Sequence, residues 1–146
     1  MDNAVSVSVL LVTPSECDHM VFRRIFSHTN WTLRHVPTRR EGMLELQRNP
    51  VPVVVCESHL PDGTWRDLLD WFPMLPIPPL MIVTSDSADT SLWAEVLNLG
   101  AYDFLAKPFN QSEVIQIVSL AWLYWREQTR RKVQPERARL AGGAAA

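Results

Sequence analysis

Three side chains that could form one chemical site lie at the ends of three apolar runs in this sequence. Glu57 follows the run VPVVVC, Thr84 ends LMIVT, and Lys107 follows YDFLA. If these runs are parallel strands, their carboxyl ends meet at one edge of a sheet, where open α/β sheets bind their ligands. A carboxylate, a hydroxyl and an ammonium would then form a chemical site. The alternative is a structural role, in which Glu57 and Lys107 form a partly exposed ion pair worth about 0 to 1 kcal/mol.

The elements that must position these residues alternate along the chain. Short and largely apolar runs, typical of strands covered on both faces, predict strands over 7–12, 31–36, 51–56, 80–84 and 102–106. The stretches between them predict helices over 17–28, 38–49, 64–75, 88–100 and 110–132. Thr64 is a candidate N-cap, and Gly100 is a candidate helix-ending glycine. Right-handed crossovers then give an α/β fold, a single flavodoxin-like doubly wound domain with a five-stranded parallel sheet and five helices.

The motifs ESHLPDG, IVTSDSAD and GAYDFLAKPF lie at the third, fourth and fifth predicted strand ends. In order and spacing they resemble the receiver domains of bacterial two-component response regulators, over about residues 5–126. Members of that family accept a phosphoryl group on an aspartate at the end of the third strand. They hold Mg²⁺ with this aspartate and an acidic pair after the first strand. The resemblance implies that Thr84 and Lys107 occupy the positions that contact the phosphoryl oxygens, and that Phe104 occupies the position of an aromatic switch residue.

The sequence departs from the family at the positions that carry this chemistry. Glu57 stands at the phosphoacceptor position, and Thr13 and Pro14 replace the acidic pair, to which Glu16 is not assigned. Phosphoryl transfer depends on positioning and on neutralising the phosphoryl oxygens, and Mg²⁺ needs near-octahedral oxygen ligation. With one carboxylate left, we expect no catalytic residue, no resident metal or other cofactor, and weak or absent Mg²⁺ binding.

Composition and charge limit the partners. The sequence is 47% hydrophobic and 21% charged, as in soluble globular proteins, and has no apolar stretch long enough to span a bilayer. Residues 1–125 carry a net charge of −6, whereas residues 126–146 carry +4. The basic segment lacks interleaved aromatic residues, so nucleic-acid binding is not expected. We expect 5–126 to form the receiver-like domain and 127–146 to be a basic helix end with a disordered tail.

The last predicted helix is apolar on more than one side. Its segment VIQIVSLAWLYW (114–125) exceeds the single stripe that a surface helix needs to pack on its own sheet. The excess predicts a partner surface anchored by Trp122 and Trp125, most simply in a homodimer. The alternative is a wide contact with the core.

These observations predict a cytoplasmic signalling module without enzymatic activity, a degenerate receiver that binds proteins such as a histidine kinase or an output protein. The isolated Cys17 and Cys56 fit a reducing compartment. Glu57 would be a relic of the acceptor or a permanent mimic of its phosphorylated state. One alternative is a constitutive dimerisation scaffold of the same fold. Another is a small flavodoxin-like nucleotide-binding protein or enzyme, although TPSECDHM has none of the glycines of a phosphate-binding loop.

Overall fold

The computed structural model describes residues 7–86 and 90–145, with side chains described as far as Lys132. Predicted segments at 5–6, 88–89 and 146 lie outside the described residues. The strands are β1 (Ser8–Val12), β2 (Thr32–Val36), β3 (Val53–Glu57), β4 (His59–Leu60), β5 (Gly63–Thr64), β6 (Leu80–Ser85) and β7 (Asp103–Ala106). The helices are α1 (Glu16–Phe26), α2 (Arg39–Arg48), α3 (Trp65–Trp71), α4 (Thr90–Asn98) and α5 (Gln111–Ala145), with a 3-10 turn at Phe72–Met74.

Five strands form one parallel sheet in the order β2-β1-β3-β6-β7. The predicted flavodoxin-like, doubly wound fold with five helices is confirmed. The central strand β3 is buried at every position, as its continuous apolar run predicted for a strand with both faces covered. The strands reverse order between β1 and β3, which places the carboxyl ends of these two strands at the switch point where such sheets bind ligands.

Two apolar cores separate the helices into two layers. On one face of the sheet, α2, α3 and α4 contribute Leu46, Leu68 and Val96. On the other face, α1 and α5 contribute residues such as Phe22 and Val118. Alternate residues of β1 and β3 point into opposite cores, so each strand is fixed by side chains on both sides.

Two local signals behave as the sequence predicted. Thr64 begins α3 with a capping box, in which its amide donates to the Asp67 carboxylate at 3.0 Å. Gly100 follows α4 with φ of +101°, a left-handed conformation that ends a helix at low cost only for glycine.

Other boundaries differ from the prediction. The third helix stops at Trp71, because Pro73 lacks an amide donor and tightens the next turn. The last helix continues to Ala145, through most of the segment expected to be disordered. The domain boundary at residue 126 stays a prediction.

The turn after β3 is attached to α2 by Asp62. Pro61 and Asp62 connect the two-residue strands β4 and β5. The Asp62 carboxylate accepts hydrogen bonds from the backbone amides of Arg39 at 2.8 Å and Arg40 at 3.0 Å. Desolvation raises the pKa of Asp62, but these amide bonds outweigh it and lower the pKa below its usual value. Asp62 therefore caps the first turn of α2 from a distant loop.

Replacing this cap should destabilise the protein in a pH-dependent way. Asp62→Ala should cost about 1 kcal/mol of unfolding free energy at neutral pH, the usual value of a lost N-cap. Because the folded-state pKa is lowered, this stability is present above the unfolded value of about 3.9 and is lost as pH falls through the folded value. Urea unfolding of wild type and variant at pH 7 and below pH 4 tests this. Asp70→Ala removes an exposed carboxylate from α3 as the control, and equal losses for both variants would contradict the cap.

Candidate functional site

The carboxyl edge of the sheet brings together the side chains that the sequence singled out. Glu57 ends β3 and is paired in register with Thr84 on β6. Lys107 follows β7, and its amide donates to the Ser85 carbonyl at 3.0 Å. All three residues are mostly buried.

The Lys107 ammonium lies between two buried carboxylates. Its Nζ is 2.7 Å from Glu57 Oε1 and 2.6 Å from Asp18 Oδ2. The side chain of Lys107 is 18% exposed, and those of Glu57 and Asp18 are each 12% exposed. The structural ion pair that the sequence allowed for is therefore present, but it is more buried than expected and has a third member.

Asp18 is the member that sequence reasoning missed. It is the third residue of α1, and its amide donates to the N-cap Ser15 Oγ at 3.1 Å. An acidic residue in the first turn of a helix is ordinary, since it interacts favourably with the helix dipole. The one signal in the sequence was its position in the first turn of the helix that follows β1, three residues after the N-cap Ser15.

Hydrogen bonding sets the charge state of Lys107. Burial alone would lower the pKa of the ammonium, but its bonds to Asp18 and Glu57 outweigh this and raise the pKa well above its usual value. Asp86 Oδ1 lies 3.2 Å away and belongs to a side chain that is 87% exposed. Lys107 is thus a permanent cation facing three carboxylates.

Both oxygens of Glu57 are engaged. Oε1 contacts Lys107, and Oε2 accepts from the Ser58 amide at 3.2 Å and from Ser58 Oγ at 3.3 Å. Attack on a phosphoryl donor by either oxygen of Glu57 would therefore compete with these contacts.

Thr13 and Pro14 have structural roles in the turn before α1. Thr13 is fully buried, its Oγ1 accepts from the Ser15 amide at 3.1 Å, and its carbonyl is 2.8 Å from His35 Nε2. The His35 ring stacks on that of His19 with centroids 4.0 Å apart. Pro14 is exposed and offers no donor.

The donor set at this edge does not fit Mg²⁺, the ion that the receiver resemblance implies. The positions that the sequence resemblance assigns to the acidic pair hold a buried threonine and a proline, and the carboxylates Asp18 and Glu57 face an ammonium. Among the residues described, no group of three His, Cys, Asp or Glu side chains is arranged to hold a metal ion. Magnesium prefers several unpaired oxygen ligands in octahedral geometry.

Phe104 lies apart from this cluster. It is half-buried and packs against the core formed by α2, α3 and α4. Phe104 therefore contributes to core packing. Its role as a switch residue stays a prediction.

The predicted interface residues lie on α5. Trp122 packs against the second core, under the Arg126 guanidinium at 4.7 Å from the ring centroid. The Trp125 indole donates to the Pro78 carbonyl at 3.1 Å, so it holds the loop before β6. Both rings are half-buried, whereas Leu120, Leu123 and Tyr124 are 48, 43 and 44% exposed. The exposed apolar side of α5 therefore runs through these three residues, and an interface role for either tryptophan stays a prediction.

None of the helices in the described part of the chain combines the length and apolar character needed to cross a membrane.

Comparison with solved structures agrees with this architecture. A signal receiver domain from Vibrio parahaemolyticus superposes with a TM-score of 0.79 at 25% identity, covering 86% of this chain and 96% of that one. The signal receiver domain of an HD domain-containing protein from Pseudomonas fluorescens gives 0.80 at 22% identity, with 90% and 97% covered. A beryllofluoride-activated NtrC4 receiver domain dimer gives 0.75 at 22% identity, with 81% and 98% covered.

Sequence comparison gives the family. The response regulator protein PilR of Pseudomonas aeruginosa is 34% identical over 86 residues, which are 56% of this chain and 18% of PilR. The chain thus corresponds to less than a fifth of the length of this relative. The family model for the response regulator receiver domain matches residues 9–119. This match covers all of the parallel sheet except Ser8 and extends into α5, and the chain belongs to the response regulator receiver domain family.

Proposed function

We propose that this chain is a cytoplasmic receiver module that signals through contacts with other proteins and does not use Mg²⁺-dependent phosphorylation of residue 57. The observation that carries the proposal is the Lys107 ammonium, held by Glu57 at 2.7 Å and by Asp18 at 2.6 Å. A phosphoryl group would have to displace one of these buried carboxylates. The module is degenerate in its chemistry, while the scaffold that partners recognise is retained.

Glu57 supplies a permanent negative charge where other family members acquire one. A carboxylate has less charge and fewer oxygens than a phosphoryl group, so it mimics only part of the phosphorylated state. Its contact with Lys107 nevertheless supplies the attraction between residue 57 and the lysine that a phosphorylated aspartate would provide. The partners we propose are a histidine kinase or an output protein, with no enzymatic, nucleic-acid-binding or membrane-binding role for the module itself.

A scaffold that dimerises constitutively is the second candidate. It is favoured by the exposed apolar side of α5, formed by Leu120, Leu123 and Tyr124. Tyr124 also contacts Tyr102 at the edge of the sheet, with ring centroids 5.7 Å apart. We propose a second copy of this chain as the occupant, because a two-fold pair would cover the same side of both helices at once. No observation favours a nucleotide-binding protein or an enzyme.

Treatment with a small phosphodonor and Mg²⁺ should leave the intact mass of the protein unchanged. The reason is that both oxygens of Glu57 are engaged by Lys107 and Ser58, and that Thr13 and Pro14 stand at the positions we assign to the acidic pair. A stoichiometric adduct of one phosphoryl group that disappears in Glu57→Gln would overturn the proposed function. The triple variant Thr13→Asp/Pro14→Asp/Glu57→Asp is the matched positive control. It restores the family's acidic residues and should recover metal binding, whereas any single restoration should do little.

The wild-type chain should self-associate at micromolar concentration in sedimentation experiments. Leu123→Glu should give a folded monomer, since a charge in an apolar contact is costly to bury. Met20→Glu introduces the same charge on the exposed surface of α1 and should leave the dimer intact. A wild-type chain that stays monomeric at high concentration would remove the dimer from consideration, without affecting the proposal about phosphorylation.

A further inference from the structure

We infer that Asp18 and Glu57 form a built-in cation site whose resident cation is the Lys107 ammonium, with Asp18 as the positioning residue that closes it. We call the three groups Asp18 Oδ2, Lys107 Nζ and Glu57 Oε1 the ammonium clamp. The inference deepens the proposed function and rests on it in one respect: a closed clamp is the reason why phosphate would be excluded. It also explains why the donor set does not fit a metal ion.

The carboxylate oxygens of the clamp depend on Lys107. Asp18 Oδ2 and Glu57 Oε1 are both buried, and neither accepts any hydrogen bond beyond its ion pair with Lys107 within the described part of the chain. Leaving a buried charge without its partner is among the more destabilising changes in proteins, whereas replacing the whole group by neutral side chains is often tolerated. Within the described part of the chain, the ammonium is therefore the partner of both oxygens.

The ammonium has no spare donor on its buried side. An ammonium has three N–H donors, and three carboxylate oxygens lie within 3.2 Å of Lys107 Nζ. Two of them are buried, and the third belongs to the exposed Asp86. An incoming anion could replace Asp86 at little cost, but it reaches the position beside residue 57 only by separating a buried pair.

The clamp joins elements that are distant in sequence. Asp18 is fixed to the start of α1 by the Ser15 cap, Glu57 ends the central strand, and Lys107 follows the edge strand β7. Three parts of the carboxyl edge are thus held by one cation. Asp18 makes this edge rigid by holding Lys107 in place, and it touches no substrate.

The first test is a set of charge-neutralising variants followed by thermal unfolding. Lys107→Met should lower Tm by roughly 10 °C, because it leaves both carboxylates unpaired. The triple variant Asp18→Asn/Glu57→Gln/Lys107→Met should regain most of that loss. Lys132→Met changes the only other lysine of the chain, on the exposed surface of α5, and should leave Tm unchanged. A neutral effect of Lys107→Met, or a triple variant no more stable than the single one, would overturn the clamp.

The second test reports on the ammonium directly and needs no loss of Lys107. Trace acetylation of the folded protein with acetic anhydride, followed by peptide mass spectrometry, compares Lys107 with Lys132 in the same molecule. Lys107 should react at least tenfold more slowly in wild type. Asp18→Asn should speed its reaction by roughly tenfold relative to Lys132, since each pKa unit changes the neutral amine fraction tenfold. Equal rates for the two lysines in wild type, or no change in Asp18→Asn, would refute the role of Asp18.

These outcomes are independent of the test of the proposed function. Neither experiment contains a phosphodonor or Mg²⁺. A chain that takes phosphate but has a slow Lys107 that Asp18→Asn releases would keep the clamp and lose the proposed function. A chain that takes no phosphate but has a freely reactive Lys107 would keep the proposed function and lose the clamp.

Discussion

The carboxyl edge of the sheet depends on one buried ammonium. Lys107 follows β7 and contacts Asp18 from α1 and Glu57 from β3, and these two carboxylates would otherwise be buried without a counter-charge. Burial of such a group is tolerated only where packing fixes all its members. Here the two cores supply that rigidity, because β3 is buried along its whole length and α1 is anchored by Phe22.

The function we propose keeps the receiver fold and separates it from Mg²⁺-dependent phosphorylation. The sheet, its order and the covering helices agree with those of known receiver domains, while the sequence resemblance assigns Thr13 and Pro14 to the positions of the family's acidic pair. A fold constrains where a site lies and leaves open what the site does. At this edge, Asp18 supplies a carboxylate from α1, and it serves to bind a lysine. The same position in the fold thus becomes a structural ion cluster.

The sequence was informative where the signal was local. The apolar run of β3, the N-cap at Thr64 and the glycine at Gly100 each predicted a feature that the structure has, because burial on both faces, capping and positive φ depend on nearby residues. The placement of Glu57, Thr84 and Lys107 at one edge followed from the rule that parallel strands share an orientation. Contacts between distant segments were missed. Asp62 caps α2 across 23 residues, and Trp125 reaches the Pro78 carbonyl across 47. Asp18 was missed for the same reason, since its partner Lys107 is 89 positions away in the chain.

We propose that Lys107 is held by Asp18 and Glu57 and is thereby closed to phosphoryl groups. The most direct measurement is the side-chain ¹⁵N spectrum of the two lysine ammonium groups, recorded with and without Mg²⁺ and beryllofluoride, the ion present in one matched receiver structure. The account predicts a Lys107 signal that exchanges slowly with water, in contrast to Lys132, and does not move when the ions are added. A Lys107 signal that exchanges as fast as that of Lys132, or that shifts in a saturable way with beryllofluoride, would contradict it.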